Sequence, residues 1–143
     1  MTVTQRLNGF DIPHSLLALM LRPDWAGRRT GEAWLRRFHD PPSGFVEFCI
    51  LDQLVRENAN VRNPALAILC GAPNVSDPPG NFDPEHGFII GFVEYVDDVI
   101  CVDFRAAPAP RIIFYNAHAH GFSTAFDRLD AFCTFYQEQH GER

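Results

Sequence analysis

Three apolar runs decide how this chain folds: Phe88 to Val93 (FIIGFV), Val99 to Phe104 (VICVDF) and Arg111 to Tyr115 (RIIFY). β-Branched and aromatic residues dominate all three, which marks them as strands. The connections between them, Glu94 to Asp98 and Arg105 to Pro110, have five and six residues. A parallel crossover needs a dozen or more, so the runs predict an antiparallel β-meander.

Toward the C-terminus, a turn at Asn116 to Gly121 precedes Phe122, Phe126, Leu129, Cys133 and Tyr136. Their spacings of four, three, four and three predict a helix capped by Ser123 or Thr124, with its apolar stripe against the sheet. Only Gln139 to Arg143 read as a frayed end.

Toward the N-terminus, residues 72–87 hold four Pro and two Gly without apolar periodicity and read as a long loop. Ala65 to Cys70, closed by Gly71, is a short apolar strand candidate. Phe45 to Leu51 is another, followed by a helix from Asp52 to about Ala59 with Asp52 as its cap. Two helices are expected before it. One has Pro13 as its first helical residue and stops at Arg22-Pro23; in the other, capped by Thr30, Trp34, Leu35 and Phe38 share a face. The expected fold is α+β: residues 1–143 as one domain, with an antiparallel meander flanked by N-terminal helices and a C-terminal helix.

Composition narrows the function. The 143 residues are 46% apolar, 21% charged and 13% aromatic, which is globular rather than disordered usage. The longest apolar candidate for a span, Ser15 to Leu21, falls far short of the roughly 18 to 20 residues a membrane helix requires. Met1 to Asp11 lacks the pattern of a secretory signal, so a cytoplasmic location is expected. Cys49, Cys70, Cys101 and Cys133 stand far apart in mostly apolar runs, the placement of small buried hydrophobes rather than of disulfides.

All twelve basic residues are Arg. Residues 1–75 carry eight Arg against seven acids, whereas residues 76–143 carry four against eleven. That acidic half repels phosphate backbones and attracts a basic protein partner.

No catalytic constellation is legible, and no cofactor is expected. His118 and His120 lie on one side of an extended segment, but no third ligand stands at metal spacing, so no metal site is expected. Asp97-Asp98 with Glu94 and Asp103 is the densest acidic cluster, and its spacing does not match a calcium loop. No GxSxG occurs, and Ser43, Ser76 and Ser123 read as turn or cap residues. Cys70 lacks a local cation that would activate a thiolate. Gly87 to Gly91 has apolar residues where a phosphate loop needs open amides.

The order of the C-terminal segments resembles the SUKH superfamily, the Smi/Knr-like domains. Gly91-Phe92, an acidic turn, Ile100-Cys101-Val102-Asp103-Phe104-Arg105, then Pro110 to Asn116, then Ser123 to Phe135 match its hairpin, aromatic strand and closing helix. Cys49 to Asn58 is similar to its "L-L-P-L-D-E-L-V-E-E-N" segment, and Ile12 to Leu17 to its opening. About 90 residues are covered in good order. The family's Gly-rich turn is replaced by Glu94 to Asp98, its aspartate after the aromatic strand by Asn116, and its "Y-N-G-G" helix ending by Pro23-Asp24-Trp25.

The resemblance implies a twisted antiparallel sheet flanked by helices, without enzymatic chemistry. Bacterial members are typically immunity proteins that bind and neutralise a cognate polymorphic toxin, often a nuclease or deaminase; fungal members are cell-wall and signalling regulators. Charge places the partner surface on a rim of Glu94, Asp97, Asp98 and Asp103, with Asp77, Asp83 and Glu85 beside it. The expected partner is a basic cognate toxin, with no nucleic acid and no membrane. The alternatives are a regulatory adaptor, a small metal-dependent hydrolase using His118, His120 and Asp97-Asp98, or a partner surface on the helical side around Trp25 and Trp34.

Overall fold

A computed structural model describes residues 5–38, 44–61, 70–73, 79–93, 98–105, 109–116 and 120–140. In chain order they form β1 (Arg6–Leu7), β2 (Phe10–Asp11), α1 (His14–Met20), β3 (Gly27–Arg29), α2 (Glu32–Phe38), β4 (Val46–Phe48) and α3 (Leu51–Val61). There follow β5 (Pro79–Gly80), a 3-10 turn at Pro84–His86, β6 (Gly87–Val93), β7 (Val99–Asp103), β8 (Arg111–Asn116), β9 (Gly121–Phe126) and α4 (Leu129–His140). Among the described residues seven strands make one antiparallel sheet in the order β3-β4-β6-β7-β8-β9-β5, and β1 pairs with β2 alone. The fold is α+β, and the predicted meander is its centre, β6-β7-β8.

Every residue of β6 and β7 is buried, so both faces of the middle of the sheet are covered. Cross-strand partners share a face, and one row runs Phe48, Gly91, Ile100, Phe114, Ser123. On this face Trp34 of α2 and Phe132 of α4 meet Phe48 edge to face, and Phe38 meets Phe114. Gly91 is glycine for a spatial reason: a Cβ there would lie 2.2 Å from the Glu47 carbonyl oxygen and 3.1 Å from the Phe48 ring. On the opposite face Phe122 packs on Phe82 and Tyr115.

The C-terminal reading needs correction. Gly121 to Phe126 is a strand, not the start of a helix, and Ser123 and Thr124 pair with Phe114 and Ile113 instead of capping one. The edge of β8 would otherwise leave unpaired backbone groups in an apolar setting. A register shift between Ile112 and Ile113 leaves Ala125 as the extra residue, so Phe122 and Phe126 face opposite sides. The helical part of the stripe is Leu129, Cys133 and Tyr136 in α4, all buried. Cys133 belongs to the common core, on the side of α4 that also meets Ser15 of α1.

Other boundaries shift for local reasons. Pro13 stands one residue outside α1, with ψ at 140°. The strand expected over Phe45 to Leu51 is only Val46–Phe48, and α3 starts at Leu51 with Asp52 inside its first turn. Most of the strand candidate Ala65 to Cys70 lies outside the described residues. The long loop contributes β5, which closes on Phe122 and Ser123 of β9.

Two asparagines complete β6 where β4 does not reach. Within β6, only Gly91 to Val93 pair with β4. Upstream, the fully buried Asn58 of α3 accepts the Ile89 N–H at 2.7 Å and donates to the Ile89 carbonyl at 3.1 Å. Asn8 donates to the Gly87 carbonyl at 2.7 Å. It sits with Gly9 at positive φ, 55° and 87°, in the two-residue turn joining β1 to β2, the Asn-Gly hairpin geometry that favours such a turn.

Candidate interaction site

The residues singled out by charge divide between the two ends of β7. Asp98 precedes the strand, and its carbonyl accepts the Val93 N–H at 2.6 Å across the β6-β7 turn. Asp103 ends it. Five residues at about 3.3 Å each put roughly 16 Å between those ends, so Asp98 and Asp103 do not form one rim. Glu94, Asp97 and Asp77 lie outside the described residues.

Asp103 is closed to partners. It is 1% exposed, and its oxygens accept from Arg105 Nε at 2.9 Å and Arg111 Nε at 2.8 Å. Arg105 also donates to the Asn81 side chain and carbonyl, tying β7 to the segment after β5. Burial opposes the charged carboxylate, but the hydrogen bonds from Arg105 and Arg111 outweigh it and hold Asp103 below the usual aspartate range.

Asp83 and Glu85 stand at this same end, in and before the 3-10 turn. Asp83 accepts from the Glu85 N–H at 2.9 Å and lies 2.8 Å from His86 Nδ1. Partial burial works against its charge; the bonds from Glu85 and His86 prevail and lower its pKa. Glu85 is exposed. Of the predicted rim, the described residues that reach the surface are therefore Asp83 and Glu85 at one end and the half-buried Asp98 at the other.

The thiols are not built for nucleophilic work. Burial raises the pKa of Cys70, with the Asp83 charge adding to it, so the Asp83–His86 pair does not activate it. Burial, then Glu47 and Glu57, pushes Cys49 up to about 12, and burial lifts Cys101 well above the usual thiol range. All four cysteines are free thiols. His118 lies outside the described residues, and His120 sits at a positive φ of 55° before β9. Among the described residues no three His, Cys, Asp or Glu side chains are grouped to hold a metal ion.

The helical side does not present its tryptophans. Trp25 and Trp34 are buried, and Trp25 Nε1 donates to the Cys49 carbonyl at 2.9 Å. Around them lies a network that no sequence spacing announces. Tyr136 donates to Asp24 at 2.9 Å and accepts from Arg29 at 3.1 Å, while Arg22 grips Asp24 through two nitrogens. Arg29 lies within 6 Å of the ring centres of Trp34, Phe48 and Tyr136, which surround its otherwise unpartnered Nε with aromatic faces. These residues lie up to 112 positions apart, so only the fold assembles them.

Fold and surface thus define an α+β chain whose buried polar groups brace a meander. Comparison with known proteins finds no matching family model, no matching curated protein and no matching solved structure. No helix among the described residues is long and apolar enough to cross a membrane.

Proposed function

We propose that this chain is a cytoplasmic, non-enzymatic protein-binding module of the SUKH immunity type, which binds and neutralises a basic cognate toxin of nuclease or deaminase chemistry. The observation that supports the reading is the order of the resembled segments. Those of the hairpin and the aromatic strand follow one another along a single antiparallel ladder, β6-β7-β8, while the segment resembling the closing helix, Ser123 to Phe135, begins in strand β9 and becomes helical only in α4. The excess of seven acids in residues 76–143 supports a basic partner through charge complementarity.

Within this reading the β6-β7 turn, with Glu94, Asp97 and Asp98, is the contact for the toxin, and Asp83 with Glu85 is a second acidic point at the far end of the strand. Asp103 acts by bracing the fold. Co-expression with the toxin encoded by a neighbouring reading frame tests the proposal. Growth should be rescued, and the double variant Asp97→Arg, Asp98→Arg should slow association about tenfold, most at low salt. No rescue and no complex would leave the regulatory adaptor as the better reading.

A further inference from the structure

The two ends of the seven-stranded sheet are finished differently. β5 at one end is two buried residues, and its Pro79 has no N–H to offer. β3 at the other end is flanked by the exposed Ala26 and Thr30 and carries the exposed Arg28, with Gly27 and Arg29 half-buried. Among the described residues no strand pairs with the outer side of β3, and an edge of this kind is a template for another strand.

Charge selects what could pair there. From Arg22 to Arg37 the chain has five Arg against Asp24 and Glu32. Arg22 pairs with Asp24, Arg36 with Glu32, and Arg29 turns inward to Tyr136, which leaves Arg28 as the exposed cation of β3 itself. Arg28 lies opposite Glu47 in the β3-β4 register, yet its guanidinium turns to the Phe45 ring, 4.1 Å from the centroid, and it forms no ion pair among the described residues. The ring holds the planar fork in place while leaving its N–H groups open to a carboxylate. A second copy would bring Arg28 against Arg28 and be repelled. An acidic strand would be attracted.

From this edge and this unpaired fork we infer that β3 receives an extended acidic segment of a partner protein by strand addition, with Arg28 taking one of its carboxylates. This edge is opposite in sign to the acidic segment invoked above and lies two strands from the end of β6 that leads into it, through the row Arg29, Val46, Val93. The two readings are therefore told apart by their probes, an acidic peptide here and the basic toxin there.

The test uses fluorescein-labelled seven-residue peptides of alternating Val and Glu, read by fluorescence anisotropy against the full chain. Binding is expected to weaken about tenfold in Arg28→Glu and less in Arg28→Lys, and to be unchanged in Arg128→Glu, an exposed arginine elsewhere. N-methylation of alternate peptide amides, which removes strand hydrogen bonds without touching charge, should abolish it. Circular dichroism and the melting temperature of each variant establish that it is folded. No binding at about 1 mM peptide, equal binding of a Val-Lys peptide, or indifference to N-methylation overturns the inference. So does concentration-dependent dimerisation that Arg28→Glu abolishes, since the edge would then belong to a second copy.

Discussion

Asp103 shows how little a residue's type says about its use. In the sequence it is one more acid of a cluster; in the fold it is a buried anion between two arginines that are themselves about a quarter exposed. Its folded pKa lies below the ordinary 3.8, so as pH falls between those values the unfolded chain takes up its proton first. The stabilisation from the pair is therefore complete above the ordinary value and is lost as pH drops through the lower, folded one. Asp103→Asn should cost about 3 kcal/mol at neutral pH, because Arg105 and Arg111 would lose their counter-charge. Urea midpoints measured from about pH 2 to pH 6 should be flatter in the variant than in the parent chain; parallel curves would mean the carboxylate contributes nothing specific.

Among the elements, β9 and α4 carry the sharpest lesson. Leu129, Cys133 and Tyr136 were legible as a helical stripe because a helix repeats its own face. Phe122 and Phe126 fitted the same spacing, since residues four apart also share a face in a regular strand, and neither period excludes the other. The bulge at Ala125, invisible in the spacing, then sends them to opposite sides. Phe126 ends up 5.5 Å from Phe132, 5.4 Å from Phe135 and 6.1 Å from Phe38, with Arg37 over its face. Phe126→Ala should cost about 3 to 5 kcal/mol, lowering the melting temperature sharply. A shift near zero would mean that β9 does not hold α2 and α4 to the sheet. The β1-β2 hairpin, not anticipated above, does carry a local signal: Asn8-Gly9 is the dipeptide its turn demands.

At the scale of the molecule, buried side chains from all the α-helices and most strands belong to one cluster, from Leu7 to Tyr136. A core so shared predicts one cooperative transition rather than the piecemeal loss of its parts. Cys49 and Cys101 report on it directly, being buried and poorly ionised. Iodoacetamide at about pH 8 should leave both unlabelled in the native protein. Their labelling in urea should rise at the same midpoint as the change in fluorescence of the buried Trp25 and Trp34. Earlier labelling of either thiol would show that its part of the sheet opens independently.

The amino-acid sequence by itself determined the antiparallel meander, the class of the fold, the burial of Cys49, Cys101 and Cys133, and the uneven division of charge. Each is a consequence of neighbours in the chain: alternation, connection length and composition act over a few residues. Only the tertiary structure decided that Asp103 faces inward, that Asn58 bonds Ile89 where β4 does not reach, that Arg29 sits among three rings, and that Arg28 stands on an outermost described strand of the sheet. Those outcomes depend on which segments meet across tens of residues, and a charge or an amide has no fixed role until the backbone groups and counter-ions around it are in place.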